Sequence, residues 1–162
     1  MKKYELTSET KVINGVELHR IKALNSFGNI KEGDLGGWIE SEKNLSQDGN
    51  AWVYGNARIS GNAWVYDNAT VGGNAKVGGN TTVCGDATVG KNADFIVFKN
   101  WWSSGRYFTW TRSNNKWKVG CFMGTGEELI AKAYKDSEKS GREYERVVNY
   151  VESILKEENN NK

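Results

Sequence analysis

The sequence predicts a mainly β chain in three parts: an N-terminal β cap over residues 1–40, a stack of short parallel strands over 41–96 and a small α+β domain over 97–162. Three observations support this division. A six-residue repeat occupies the middle of the chain, an Asn-Gly pair separates two apolar runs near the N-terminus, and an apolar stripe with helical spacing lies near the C-terminus. The 162 residues suffice for one ordinary domain or two small ones.

The repeat places an Asn or Asp at every sixth position from Asn44 to Asn92. Because side chains alternate along a strand, the small residue that follows and the larger apolar residue two positions later share one side. The Gly-Asn pairs between strands are typical of turns, since both residues tolerate left-handed backbone angles. The small–apolar pairs are Ala51 and Val53, Ala57 and Ile59, Ala63 and Val65, Ala69 and Val71, Ala75 and Val77, Thr81 and Val83, Ala87 and Val89, and Ala93 and Phe95.

Three short strands and three corners make one triangular coil of 18 residues, so residues 18 apart are expected to stack. About three coils are expected, and the flanking segments must cover the open ends of the stack. The predicted outward columns are Trp52 over Thr70 and Thr88, Tyr54 over Gly72 and Gly90, Trp64 over Thr82, Tyr66 over Cys84, and Arg58 over Lys76.

The pattern resembles the hexapeptide repeat of left-handed parallel β-helices, and this resemblance implies a homo-oligomer, most often a trimer. Residues 2–94 also resemble a mostly uncharacterised hexapeptide-repeat family of tailed phages and prophages, through KYEL, LHRIKAL and GDLGGWIESEKNLSQDGNAWVYGNA. The C-terminal SGRYFTWTRSNNKWKVGCFMGTGEEL, followed by SGREYE, resembles more loosely a small domain of phage proteins. These resemblances imply a phage accessory protein and little defined chemistry.

The segments on either side of the repeat carry hairpin and helix signals. Asn14-Gly15 predicts a hairpin, and Asn114-Asn115 predicts a type I′ turn between strands 106–112 and 116–123. That register places one strand face toward a helical stripe. The strand face contains Phe108, Trp110, Trp117, Val119 and Cys121, and the stripe contains Tyr144, Val147, Val148, Val151, Ile154 and Leu155. Two capping boxes, Thr125 with Glu128 and Ser140 with Glu143, predict the starts of two helices.

Composition narrows the function classes. With 22 basic and 20 acidic residues, the net charge of +2 excludes a histone-like protein and an acidic disordered tail. No apolar run reaches the roughly 18 residues of a membrane span, and the N-terminus lacks the apolar core of a secretory signal. Two cysteines do not make a disulfide framework. We therefore expect a cytoplasmic protein, which the phage resemblance places in an infected bacterial cell.

Basic residues alternate with aromatic ones over residues 95–126, where five cations and no acid occur. Aromatic rings stack on bases while Arg and Lys meet phosphates, so this stretch predicts a nucleotide-type ligand. Five charges are few for duplex DNA, which we do not expect as a partner. Core or interface packing of these residues remains the alternative. The candidate ligand residues are Trp101, Trp102, Ser104, Arg106, Tyr107, Arg112 and Lys118.

The outward aromatic residues of the first coil predict a contact surface, because exposed aromatics on a solenoid usually mark one. Packing against the N-terminal segment or a sister subunit is the alternative interpretation. The candidate interaction surface consists of Trp52, Tyr54, Arg58, Trp64 and Tyr66.

No catalytic constellation is evident, so we predict a non-enzyme without cofactor or metal. His19 is the only histidine, and Cys84 has no neighbouring histidine in the sequence. The leading hypothesis is a homo-oligomer that sequesters a cyclic nucleotide or an ADP-ribose derivative as a counter-defence protein. One alternative is a protein inhibitor of a host defence protein or nuclease. A further alternative is a degenerate acyltransferase, although the histidine that such enzymes typically use is absent from the repeat.

Overall fold

A computed structural model describes all 162 residues and shows a mainly β protein with two C-terminal helices, as predicted. Strands β1 (Tyr4–Ile13) and β2 (Val16–Ala23) form the predicted hairpin. Asn14 and Gly15 adopt φ angles of 52° and 80°, which is the left-handed pair that a tight hairpin turn requires. Strand β3 (Leu35–Ile39) pairs antiparallel with β2 and parallel with the first coil, so the hairpin continues a sheet of the repeat.

The repeat forms seven two-residue strands distributed over three sheets. Parallel pairing joins residues 18 apart, including Trp52 with Thr70, Trp64 with Thr82, and Arg58 with Lys76, which confirms the predicted columns. The sheets have the orders β1-β2-β3-β5-β8, β10-β7-β4 and β6-β9. The strands are β4 (Trp52–Val53), β5 (Arg58–Ile59), β6 (Trp64–Val65), β7 (Thr70–Val71), β8 (Lys76–Val77), β9 (Thr82–Val83) and β10 (Thr88–Val89).

The small and the larger apolar residues of the repeat fill the inside of the coils. Val53, Val71 and Val89 are completely buried in one column, within a continuous apolar cluster of 20 residues. At the corners, Asn50 donates an amide hydrogen bond to Asn68 over 3.1 Å. The repeat therefore combines apolar stacking inside with polar ladders outside.

Polar groups from the flanking segments satisfy some of the backbone groups at both ends of the stack, where the sheet edges would otherwise be open. At the N-terminal end, the Lys3 ammonium donates to the Ala51 carbonyl over 2.8 Å, and burial lowers the pKa of Lys3 to about 8. At the C-terminal end, Thr109 accepts from the Thr82 N–H at 3.2 Å and Ser113 accepts from the Thr88 N–H at 2.8 Å.

The C-terminal part is a four-stranded antiparallel sheet packed against two helices. Its own apolar cluster joins Phe108, Trp110 and Trp117 to Tyr144 and Val148, which confirms the predicted packing of strand face on helical stripe. The elements are β11 (Phe95–Lys99), β12 (Tyr107–Thr111), β13 (Lys116–Val119), β14 (Phe122–Gly124), α1 (Gly126–Asp136) and α2 (Glu138–Asn160). Neither helix has the length and apolar composition needed to cross a bilayer.

Several local predictions for this part were wrong. The strand predicted over 116–123 breaks at Gly120, whose φ of 57° turns the chain and leaves Cys121 exposed. Helix α2 begins before Ser140, because Ser137 is the N-cap and accepts from the Ser140 N–H. A four-residue loop over 112–115 joins β12 and β13, with only Asn115 left-handed, so the type I′ prediction also fails.

Candidate functional site

A cleft of about 200 Å³ lies in the C-terminal part, between the loop over residues 100–106 and helix α1. We call it the C-terminal cleft. Two candidate ligand residues, Ser104 and Arg106, line it. The other lining residues are Asn100, Ser103, Val119, Phe122, Leu129, Lys132, Ala133, Asp136, Ser140 and Tyr144.

The buried Asn100 side chain fixes the loop that forms one wall of this cleft. Its carbonyl oxygen accepts from the Ser103 N–H at 2.9 Å and from the Ser103 hydroxyl at 3.1 Å, while its amide donates to the Tyr144 hydroxyl over 3.3 Å. The Asn100 backbone also bonds to Arg106 and Gly105. A short Gly/Ser loop is thereby held in one shape, with its hydroxyls at the cleft.

Arg106 is the cation of the cleft that has no acidic partner. It is exposed and forms no salt bridge, and its guanidinium lies against Gly120. The other lining cation, Lys132, is 3.7 Å from the Asp136 carboxylate. Burial raises the pKa of Tyr144, so its phenol stays protonated and can donate to an anion. The cleft therefore offers a free guanidinium beside several hydroxyl groups.

The two adjacent tryptophans have different environments. Trp102 packs against the apolar cluster behind the cleft: its ring is edge-on to Tyr144 at 4.9 Å, and its Nε1 donates to the Ser140 hydroxyl over 3.1 Å. Trp101 is 68% exposed at the end of the same loop, with the Lys139 ammonium 5.8 Å from its ring centroid. Trp101 thus presents a largely exposed aromatic ring on the loop that forms one wall of the cleft.

The remaining predicted ligand residues do not converge on the cleft. Arg112 follows β12, whereas Arg106 precedes it, and a five-residue strand separates its two ends by roughly 16 Å. Arg112 instead pairs with Glu158 at 2.6 Å. Lys118 lies on the sheet face opposite Trp117, because neighbouring residues of a strand point to opposite sides. Tyr107 begins β12 and lies beside Lys99, 5.8 Å from its ammonium.

The sequence did not indicate the cleft residues that come from other elements. Asn100, Lys132 and Tyr144 are far apart in the chain and belong to a loop and two different helices. Tyr144 appears in the sequence as one member of an apolar stripe, and nothing there distinguishes it from its packed neighbours. Only the alternation of basic and aromatic residues over 95–126 indicated this part of the chain.

The predicted interaction surface is only partly exposed. Trp52 is 1% exposed, because Tyr4 and Phe27 pack edge-on against it, so its assignment to a contact surface was wrong. Trp64 is 45% exposed and stacks on Tyr66 with ring centroids 4.0 Å apart. Tyr54 is partly exposed and Arg58 is half-buried.

The residues considered for catalysis lie apart from the cleft. His19 is in β2, as the hairpin prediction requires, and its Nε2 is 3.4 Å from a Glu17 carboxylate oxygen. Cys84 is buried in the repeat, and burial raises the pKa of its thiol, which disfavours the reactive thiolate. No three His, Cys, Asp or Glu side chains are arranged so that they could hold a metal ion.

Comparison with known proteins shows a partial similarity. The chain is 36% identical over 62 residues to a protein of Escherichia coli strain K12 called "Uncharacterized acetyltransferase YdcK". The match covers 33% of this chain and 19% of that protein. No protein-family model matches the chain.

Proposed function

We propose that this protein binds, without chemical turnover, a compact phosphorylated ligand of nucleotide type at the C-terminal cleft. The observation that carries the proposal is the unpaired Arg106 guanidinium, which lines the same cleft as the Ser104 and Tyr144 hydroxyls. Arginine and hydroxyl donors are the usual partners of phosphate oxygens.

The size of the cleft determines which part of the ligand it takes. At about 200 Å³ it is smaller than the roughly 300–1,000 Å³ of drug-sized pockets, so a whole nucleotide does not fit inside. In this proposal the phosphate or ribose-phosphate enters the cleft and the base stacks on the exposed Trp101. Each base stacked on an aromatic side chain contributes about 1–3 kcal/mol.

The proposed architecture is a left-handed parallel β-helix of about three coils that assembles into a homo-oligomer, most simply a trimer. The 18-residue parallel register and the three sheets of the repeat support the coil geometry. The partial similarity to a protein named as an acetyltransferase is consistent with a hexapeptide-repeat protein. In a phage-infected cell, such an oligomer would sequester a cyclic nucleotide or an ADP-ribose derivative used as a defence signal.

Calorimetric titration with ADP-ribose and with a cyclic dinucleotide tests the cleft. We expect saturable binding of at least one of them and a loss of about 10- to 100-fold in Arg106→Ala, the value of one charged hydrogen bond. Trp101→Ala should weaken binding as well. Arg146→Ala is the control, because Arg146 is exposed on α2 two residues from Tyr144, and therefore on the far side of that helix. Equal affinities in all four proteins would refute the proposed site.

Acyl transfer is a second candidate, favoured by the name of the partially matching relative. It requires a general base, and His19 beside Glu17 is the one histidine that can supply it. Incubation with acetyl-CoA and an amine or alcohol acceptor tests it. Thiol release that disappears in His19→Ala would replace the binding proposal with an enzymatic one.

A protein–protein role is a third candidate, favoured by the stacked Trp64–Tyr66 pair on the outside of the repeat. Here the partner would be a host defence protein or nuclease. Trp64→Ala should abolish inhibition of that partner, whereas Arg106→Ala should not affect it.

A further inference from the structure

A second groove lies between the tip of the N-terminal hairpin and the outer face of the repeat. It encloses about 240 Å³ and shares no residue with the C-terminal cleft. Aliphatic side chains of the hairpin form one side, and Arg58, Ser60, Lys76 and Gly78 form the other. We call it the hairpin groove.

Cations are arranged in a column along this groove. Arg58 and Lys76 are direct partners in parallel strands β5 and β8, which places their backbones roughly 4.8 Å apart. Like charges directly opposite each other destabilise a sheet. Neither residue forms a salt bridge, so the repulsion between them is not relieved by an acid of the chain.

The positive charge continues above this pair. Trp38 is the partner of Arg58 in β3, and the Lys11 ammonium lies 4.0 Å from the centroid of the Trp38 ring. The Arg20 guanidinium lies 5.8 Å from the same ring and pairs at 3.5 Å with Glu9. Partial burial lowers the pKa of Lys11, and the neighbouring Arg58 and Arg20 charges lower it further. Against these two cations, Glu9 is the one carboxylate whose charge raises the pKa of Lys11.

The backbone adds an unpaired donor to the groove. In the preceding coil the Ser60 N–H donates to the Val77 carbonyl at 3.0 Å, but β8 is the last strand of its sheet, and the Gly78 N–H has no acceptor. The Lys76 N–H is satisfied by the Asn92 side chain at 2.8 Å, so the edge is capped there and left open at Gly78. Ser60, which carries a hydroxyl, lines the groove on the same side. No carboxylate lines the groove.

We propose that the hairpin groove is a second anion site, which binds a phosphate or diphosphate group through Arg58, Lys76, the Ser60 hydroxyl and the Gly78 N–H. The two cations and the two neutral donors supply what a tetrahedral oxyanion accepts, and an exposed backbone N–H beside cations is typical of phosphate sites. At about 240 Å³ the groove is smaller than the roughly 300–1,000 Å³ of drug-sized pockets, which suits a compact anion rather than a whole nucleotide.

Titration of the full chain with inorganic pyrophosphate at low ionic strength tests this site. We expect saturable binding that weakens at least tenfold in Arg58→Gln and in Lys76→Gln. Lys156→Gln, at an exposed position of α2 without a salt bridge, is the control and should bind like the unchanged protein. Arg106→Ala should keep the binding event that depends on Arg58 and Lys76, which separates this site from the C-terminal cleft.

Stability supplies a second measurement on the same variants. Removal of one of two repelling charges should leave the melting temperature of Arg58→Gln and Lys76→Gln unchanged or raise it, so weaker binding cannot be attributed to unfolding. A parallel titration with ADP identifies the source of the anion. If ADP binds and its binding depends on Arg58, the groove accepts an esterified phosphate. If only pyrophosphate binds, the ligand of the groove is a free phosphate or diphosphate. Absence of saturable binding, or equal weakening in Lys156→Gln, would overturn the proposal.

Discussion

Substitution of Gly36 by Ala tests how closely the N-terminal cap approaches the first coil. Gly36 lies in β3 and is buried, and a Cβ atom there would be 2.6 Å from both the Val53 carbonyl oxygen and the Ile21 side chain. No real Cβ contact is that short, and one of the two obstacles is backbone. Strand β3 must therefore move away from the coil.

The energetic cost follows from that movement. Overpacking of a buried site costs about 1–3 kcal/mol. Displacement of β3 also strains the hydrogen bond from the Trp38 N–H to the Ala57 carbonyl, now 3.0 Å long, and an unpaired buried group costs about 1–3 kcal/mol. We expect a loss of roughly 2–5 kcal/mol, a large fraction of the 5–15 kcal/mol that stabilises a typical domain.

Gly72→Ala is the matched control. The nearest atom to a Cβ at Gly72 is 3.5 Å away, in Tyr54, and the position 18 residues earlier in the repeat already carries that tyrosine. Here Ala only reduces the freedom of the unfolded chain, which stabilises by about 0.4–1 kcal/mol. Urea unfolding followed by far-UV circular dichroism, at one protein concentration, measures both variants. Equal changes in the two, or a neutral Gly36→Ala, would refute the close packing of cap on coil.

Three further predictions concern stability. Because burial lowers the pKa of Lys3 to about 8, the unfolded chain binds more protons than the folded chain above that pH. The free energy of unfolding should therefore rise by up to about 1.5 kcal/mol between pH 8 and 9.5. Urea unfolding at several pH values should show a smaller rise of this free energy with pH in Lys3→Met. The Val71 side chain is completely buried between Val53 and Val89, so Val71→Ala should lower the free energy of unfolding by about 2–3 kcal/mol in the same assay. A decrease below about 0.5 kcal/mol would contradict the stacked core. Thr125→Ala removes the α1 N-cap hydroxyl that accepts from the Glu128 N–H, and should lower the stability measured in thermal melts by about 1 kcal/mol. An unchanged melting temperature would show that this cap does not stabilise the protein.

The repeat could be predicted from sequence because each of its residues has the same environment 18 positions later. Ala57, Val71 and their equivalents therefore give one signal many times, and parallel pairing at 18 residues follows from it. The Asn14-Gly15 hairpin and the Thr125 cap were predicted because a short local pattern determines each.

The parts that failed depend on contacts between distant segments. Trp52 has the outward position of its repeat, but the cap covers it with Tyr4 and Phe27, and no local pattern records that contact. The C-terminal cleft likewise requires Asn100 and Tyr144, 44 residues apart, to meet through one hydrogen bond. The chain turn at Gly120 was not predicted, because a glycine inside a strand-like pattern is compatible with both a bend and the end of a strand.

Native mass spectrometry of the protein purified from bacterial cells in which defence signalling is active tests whether it sequesters a nucleotide-type ligand, because this method weighs the assembly and any retained ligand together. We expect an oligomer that carries a nucleotide-sized mass, and the same oligomer without that mass in Arg106→Ala. An oligomer that is empty in both proteins, and that stays empty when ADP-ribose or a cyclic dinucleotide is added, would contradict it.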